Sequence, residues 1–418
     1  MRLLICSAFR RIQGGAESYL ENIIPALAGR GHQIAFCAER EGDSNRPLIA
    51  LPPPASQWCI AELGAQQALQ RARHFAPELV FCHRLDDLGF ERALQALGPS
   101  VFFAHNYYGT CISGSKTRSF PRPTPCPRIF GPGCLLQYFP RRCGGLNPVT
   151  MLQLYGQAGD RLALLKQYTT VLTNSRYLSE EYRRHGIQAT DVPLFALVDS
   201  ESGESLPSDH YSLLFAGRME KLKGGALLLD ALPLLHERLH RDLHVTFAGD
   251  GRERQAWAIQ AQKLPAGIQV SFTGWLSRPE LAEHYAGSHL LVIPSLWPEP
   301  FGLVGLEAGL QGTPAVAFPV GGIPEWLQHG ENGVLAALPP SAEGLASAMA
   351  QALHPDLYPQ LRAKAAAAAR AFSLERHCRH LERELMRALA VHSSPSAASL
   401  ATADKQSVSM SAASPEGR

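Results

Sequence analysis

The sequence predicts an α/β protein built from two tandem doubly wound domains that face each other across a cleft. Three observations carry that expectation. Short apolar runs alternate with amphipathic helical patterns, the alternation stops at a polar break near residue 200 and then starts afresh, and 418 residues exceed what one ordinary core organises.

Residues 2–8 form a short apolar strand, and Gln13-Gly14-Gly15-Ala16-Glu17 turns it into a helix with Leu20, Ile23, Ile24 and Leu27 on one face. Gly29 and Gly31 end that helix. Further strands are expected at 33–38, 79–83, 101–105 and 170–174. Strands separated by helices form a parallel sheet covered on both faces. Residues 200–209 are rich in Ser, Glu and Pro and read as a linker. The pattern restarts with strands at 211–217, 244–249, 268–274, 289–294 and 315–318, then helices at 343–353, 357–372 and 374–389. This gives one domain over 1–199 and a second over 210–373, with a Ser/Ala-rich tail over 393–418 expected to be disordered. Open sheets of this kind bind ligands beyond the carboxyl ends of their strands, so the two domains would share a cleft.

Hydrophobic residues at 45% and charged ones at 18% describe a globular chain, and a net charge of +2 argues against a general nucleic-acid binder. No apolar run reaches bilayer length and the opening apolar residues form a strand, so a cytoplasmic location is expected.

The chain centres on Pro294-Ser-Leu-Trp-Pro-Glu-Pro-Phe-Gly-Leu-Val-Gly-Leu-Glu307. Pro294, Pro298 and Pro300 forbid regular structure after the strand, so a helix is expected to begin near Phe301–302. The free N–H groups of Phe301, Gly302 and Leu303 would then attract an anion. Glu307 is the one charge on an apolar helix and needs a hydrogen-bond partner, while Glu299 is a second acceptor just outside. A ligand both anionic and rich in hydroxyls, such as a sugar nucleotide, suits such a site. A solvated Glu299 and a Glu307 paired with a structural Arg is the alternative. Arg218 and Lys223, on the strand-to-helix turn Gly217-Arg-Met-Glu-Lys-Leu-Lys-Gly-Gly225, are placed to hold a diphosphate or simply to face solvent. Gly249 and Gly274 close tight turns, and Gly14-Gly15 lets backbone approach a phosphate or sugar. His105 ends a strand.

The Glu-x7-Glu stretch, the Gly-Arg…Lys-Gly turn and the later Gly312-Thr-Pro, Gly321-Gly-Ile-Pro-Glu325 and Gly330-Glu-Asn-Gly333 together resemble the retaining glycosyltransferases of the GT-B fold, in particular family 4. The likeness covers about residues 213–335 and extends more weakly to the first domain. It implies that residues 374–390 cross back onto that domain. It also implies an enzyme moving a hexosyl-type unit from a nucleotide-diphosphate sugar to a glycan or glycolipid acceptor, in surface-polysaccharide or glycolipid assembly. By the same resemblance Glu307 takes the ribose hydroxyls, while Glu299 and the amides of Phe301, Gly302 and Leu303 address the donor sugar. Arg218 and Lys223 take the leaving diphosphate. His105 lies near the reacting sugar, Gly14, Gly15, Gly249 and Gly274 line the donor, and Trp275 lies beside the base. No Asp-x-Asp occurs, so no catalytic metal and no cofactor are expected. A sugar-nucleotide epimerase on the same fold and a silent sugar-cleft binding protein are the alternatives.

Cys111, Cys126, Cys134 and Cys143 fall in one stretch with gaps too wide for a standard zinc knuckle. Free thiols are the first reading, and a stapled or metal-bound insertion the second. From residue 92 to 159 there is no acidic residue, whereas Arg118, Arg122, Arg128, Arg141 and Arg142 interleave with Phe120, Phe130, Leu135, Leu136, Tyr138 and Phe139. The segment 111–143 would therefore dock on anionic lipid or hold a lipid-linked acceptor, or else cover the cleft with its aromatics inward.

Overall fold

The computed structural model describes residues 1–197, 206 and 209–393. Most of the linker expected at 200–209 and the tail beyond Ser393 lie outside the described residues.

The first half contains β1 (Arg2–Phe9), β2 (Gln33–Arg40), β3 (Ser56–Cys59), β4 (Leu79–Cys82), β5 (Ser100–Ala104), β6 (Thr117–Arg118), β7 (Thr124–Pro125), β8 (Thr170–Thr173) and β9 (Ala189–Asp191). Seven of these form a parallel sheet in the order β3-β2-β1-β4-β5-β8-β9, and β6 and β7 form a separate antiparallel hairpin. The second half contains β10 (Tyr211–Ala216), β11 (Leu243–Ala248), β12 (Ile268–Gly274), β13 (Leu290–Ile293), β14 (Ala315–Ala317) and β15 (Gly333–Leu335), in the parallel order β12-β11-β10-β13-β14-β15. Both sheets reverse direction beside their first strand, between β1 and β4 and between β10 and β13. At such a switch point the flanking loops splay apart and leave a crevice.

The central strands are apolar throughout because helices cover both faces: Leu3, Leu4, Ile5 and Cys6 of β1 are fully buried. One face of the first sheet packs Leu4, Phe102, Leu164 and Tyr182 together, and the other packs Leu3, Ile5, Ile23, Phe81 and Phe103. The second face is completed from the far end of the chain by Cys378, Leu381, Leu385 and Ala388 of helix Leu374–Ser393. Each fully buried leucine there contributes about 1.5–3 kcal/mol. Arg30 adds bonds of 2.8 Å to both Glu375 and Glu382.

β3, β9 and β15 are absent from the sequence expectation. All three are edge strands of three or four residues, too short to leave an apolar run.

Candidate active site

Of the residues singled out in the second domain, Lys223 and Glu299 meet at its switch point. β10 leads into Gly217-Arg218, and β13 into Pro294 and Glu299. The two loops touch backbone to backbone, because Gly224 takes a left-handed φ of +75° and a Cβ there would stand 1.9 Å from Pro294 O. Leu296 N also donates to Leu222 O at 2.8 Å. This contact delivers Lys223 to Glu299: Lys223 Nζ lies 2.7 Å from Glu299 Oε1 and 5.3 Å from the Trp297 ring centre. Trp297 Nε1 and Ser295 Oγ donate to the same oxygen at 2.7 and 2.5 Å. Three donors thus fix one oxygen of a carboxylate that is only 4% exposed. Among the described residues none is directed at the other, Oε2.

Arg218 is exposed and makes no ion pair among the described residues. Gly249 takes φ +127°, with a hypothetical Cβ 2.1 Å from Gly217 O, and its amide donates to Gly274 O at 2.7 Å. The turns at the ends of β10, β11 and β12 therefore stack on one another beside Arg218.

The helix after the proline run begins at Val304, not near Phe301 as expected, and extends only to Leu310. Gly302 has φ +85°, outside the right-handed helical region, so the chain enters the helix only past it. The amides of Phe301, Gly302 and Leu303 belong to the turn ahead of the helix, upstream of the first bond from Gly305 N to Gly302 O. Glu307 accepts from Tyr285 Oη at 3.0 Å. It lines a cavity of about 560 Å³ between the domains, together with Gly15, Tyr19, Trp275 and Leu303. Lys223, Glu299 and Arg218 are not part of that lining, so the two glutamates occupy distinct places. A larger hollow of about 770 Å³ against the edge strand β3 contains none of the predicted residues.

Across the cleft, Arg46 lies 4.7 Å over the ring of Trp275, which is 61% exposed, and Arg278 approaches Glu21 at 3.8 Å. Tyr107 Oη donates to Pro298 O at 2.7 Å, tying the loop after β5 to the loop after β13. Glu325 accepts from Arg176 N and Tyr177 N at 2.9 and 2.8 Å, so the second domain caps a helix of the first. Gly14 precedes helix Gly15–Gly29, and its amide acts on the Glu17 carboxylate, which burial pushes up.

His105 lies one residue past β5, its Nε2 3.0 Å from His83 Nδ1. Burial, and then the His377 imidazole, push it down to about 3, so it is neutral at physiological pH. It belongs to an aromatic cluster with Tyr19, which it meets edge-on, and Phe103, and Tyr19 Oη meets His377 Nε2 at 2.8 Å.

Ser295, Trp297, Tyr107 and Tyr285 are site residues that sequence reasoning passed over. Ser295 and Trp297 stand inside the quoted stretch and Tyr107 two residues after His105, so proximity in sequence was an available signal. Nothing in the sequence links Tyr285 to Glu307.

Residues 200–372 match the family model described as Glycosyl transferases group 1, and residues 13–194 the model described as Glycosyltransferase Family 4. A glycogen synthase of Mycobacterium tuberculosis is 38% identical over 184 residues, which cover 44% of this chain and 42% of the relative. A D-inositol 3-phosphate glycosyltransferase of Catenulispora acidiphila is 36% identical over 193 residues, 43% of this chain and 45% of the relative. The chain thus spans less than half the length of these curated relatives. Among solved structures, HepE of Anabaena in complex with UDP and glucose superposes with a TM-score of 0.66 at 18% identity, over 92% of this chain and 99% of that one. Sucrose-phosphate synthase from Thermosynechococcus elongatus gives a TM-score of 0.66 at 20% identity, over 94% and 100%. With two Rossmann-like domains, and with a family model matched by each half, the chain belongs to the GT-B glycosyltransferases of the family 4 type.

Proposed function

We propose that the protein is a retaining, metal-independent glycosyltransferase that takes a hexosyl unit from a nucleotide-diphosphate sugar and passes it to a glycan or lipid-linked acceptor. The observation that carries this reading is the Lys223–Glu299 pair, held at the switch point of the second sheet by the same turn after β10 that carries Arg218, which makes no ion pair among the described residues. Arg218 and Lys223 neutralise charge as the nucleoside diphosphate leaves. Glu299, fixed through Oε1, offers Oε2 to a donor-sugar hydroxyl. Glu307 addresses the ribose from the inter-domain cavity, and Trp275 faces the base. His105 is a neutral hydrogen-bonding group. The acceptor hydroxyl attacks on the face the diphosphate leaves, and the departing phosphate oxygen takes its proton, so no side-chain nucleophile is used. That HepE binds UDP and glucose, and that sucrose-phosphate synthase shares the fold, supports a nucleotide-sugar donor. The epimerase and silent-binder alternatives have no observation in their favour.

The acceptor side includes the insertion over 111–143. Phe120, Ile129 and Leu136 are exposed there beside Arg122, Arg128 and Arg142, which suits an anionic membrane surface or a lipid-linked acceptor. Among the described residues no helix is long and apolar enough to cross a membrane.

Thermal-shift screening against UDP-, GDP- and ADP-sugars identifies the donor, because a ligand of the folded state raises its melting temperature. Donor hydrolysis by wild type, Arg218→Ala and Glu299→Ala then tests the site. Full activity in both variants would overturn the assignment.

A further inference from the structure

The cavity of about 560 Å³ that Glu307 and Trp275 line also receives Arg46 and Pro47, from the segment of the first domain between β2 and β3. The backbone of that segment is tied down on the stretch that follows β1. Arg11 Nε donates to Glu41 Oε1 at 2.9 Å, and its Nη1 donates to Arg46 O at 2.7 Å. Ile12 N donates to Pro47 O at 3.0 Å, and Arg11 and Leu48 form an antiparallel bridge. Asp43 closes the turn between these anchors: its carbonyl accepts from Arg46 N and its Oδ1 from Asn45 N, both at 3.0 Å. Arg46 is thus held by its own backbone and by its neighbours, and its side chain reaches the second domain.

There the guanidinium carbon stands 4.7 Å from the centre of the Trp275 ring. An arginine stacks on an aromatic ring through its own flat face, which leaves the N–H groups around its edge free to donate. Among the described residues nothing takes them. Arg278, the other arginine lining the cavity, faces Glu21 at 3.8 Å, whereas Arg46 has neither an ion pair nor a side-chain hydrogen bond to protein. A half-buried guanidinium, set against an indole and without a protein acceptor, suits a planar ligand that brings acceptors of its own.

We propose, on the reading of this cavity as the nucleoside end of the donor site, that Arg46 selects the base. It takes uracil or guanine, which carry carbonyl oxygens at their edges, over adenine. Guanine presents O6 beside N7, a pair that a guanidinium meets with two donors, and uracil presents O4. Adenine sets its N6 amino group beside N7, so the same edge turns a donor toward a donor. Glu307 gives the placement its reference point, because it lines the same cavity and addresses the ribose that bears the base. The diphosphate runs the other way, toward Lys223 and Arg218, which lie outside that lining. Since Arg46 belongs to the first domain and Trp275 to the second, the base is read only when the cleft is closed.

Calorimetric titration of the full chain with UDP, GDP and ADP reads this selection as binding, without acceptor or turnover. Wild type should bind UDP or GDP about tenfold or more tighter than ADP. Arg46→Ala should bring the three nucleotides to within about threefold of one another, by weakening the favoured one and leaving ADP as it was. Arg46→Lys, a milder change that keeps the charge and loses the flat fork, should lose the selection as well. Wild type without a preference or with a preference for ADP, or a preference that survives in both variants, would overturn the assignment and leave the donor site standing. An equal loss for all three in Arg46→Ala would put the guanidinium on the diphosphate and overturn it too. If wild type bound none of the three, the nucleotide-sugar reading itself would fall, and the role of Arg46 with it.

Discussion

His377→Gln should flatten the acid limb of the protein's stability. His377 docks the last helix on the first domain, with Nδ1 2.7 Å from Pro193 O and Nε2 2.8 Å from Tyr19 Oη. A carbonyl only accepts, so the ring proton sits on Nδ1 and Tyr19 donates to Nε2. A second ring proton would turn Nε2 into a donor and make the Tyr19 hydroxyl rotate to accept, and it would place a charge in a site only 3% exposed. Burial, and then the His380 charge, hold this imidazole down to about 4 from its ordinary 6.5. The folded value lies below the unfolded one, so the stabilisation is whole above the unfolded pKa and is lost as pH falls toward the folded one. Those two values give a loss of about 1.4 kcal/mol at pH 5.5 and about 2.5 kcal/mol at pH 4.5. Gln at this position keeps a donor for Pro193 O and an acceptor for Tyr19 but does not titrate. Urea unfolding of both proteins at several pH values from neutral to about 4.5 reads the effect, because the carboxylates and the histidines other than His105, which His377 itself pushes down, titrate alike and cancel in the difference. A stability difference that stays constant with pH would refute the reasoning. An imidazole pKa near the ordinary value, measured by hydrogen–deuterium exchange at the ring carbon, would do the same.

Arg218→Ala should leave stability within about 0.5 kcal/mol, since the side chain is exposed and has no ion-pair partner among the described residues. Donor turnover should fall by roughly 10²–10³, so a melting curve and a hydrolysis assay on one sample separate the two effects. Lys223→Met strands a buried carboxylate that keeps its Ser295 and Trp297 donors. Because Lys223 is partly exposed, the cost should be on the order of 1–3 kcal/mol, read by denaturation, with activity lost. Gly224→Ala should be worse for folding than either, since a Cβ there meets Pro294 O at 1.9 Å; soluble yield and melting temperature should both drop. His105 stays neutral, so the activity–pH profile should show no acid limb near 6.5 that His105→Gln removes.

Much of the site was legible because its parts are local. Pro294 through Glu307 announces itself by prolines that end a strand and a carboxylate on an apolar face, whereas the delay that Gly302 imposes on the helix showed only in the structure. Gly224 and Gly249 mark turns that only a residue without a side chain can make, and the structure shows carbonyls packed where a Cβ would stand. The last helix of the first domain was legible only through family likeness, since its apolar face over Cys378, Leu381 and Leu385 says that it packs but not on what.

The sequence by itself determined the two parallel sheets, the strands that end at the cleft and the residue types available there. Periodicity and turn chemistry act over a few residues, and so a linear reading captures them. Only the tertiary structure decided that Lys223 meets Glu299, that Tyr285 meets Glu307, and that His83, His105, Tyr19 and His377 form one aromatic cluster. Those pairings join residues brought together by crossovers of the sheets and by the return of the final helix. Which group fills the space beside a carboxylate or an imidazole is set by that packing, and with it the charge the group can carry.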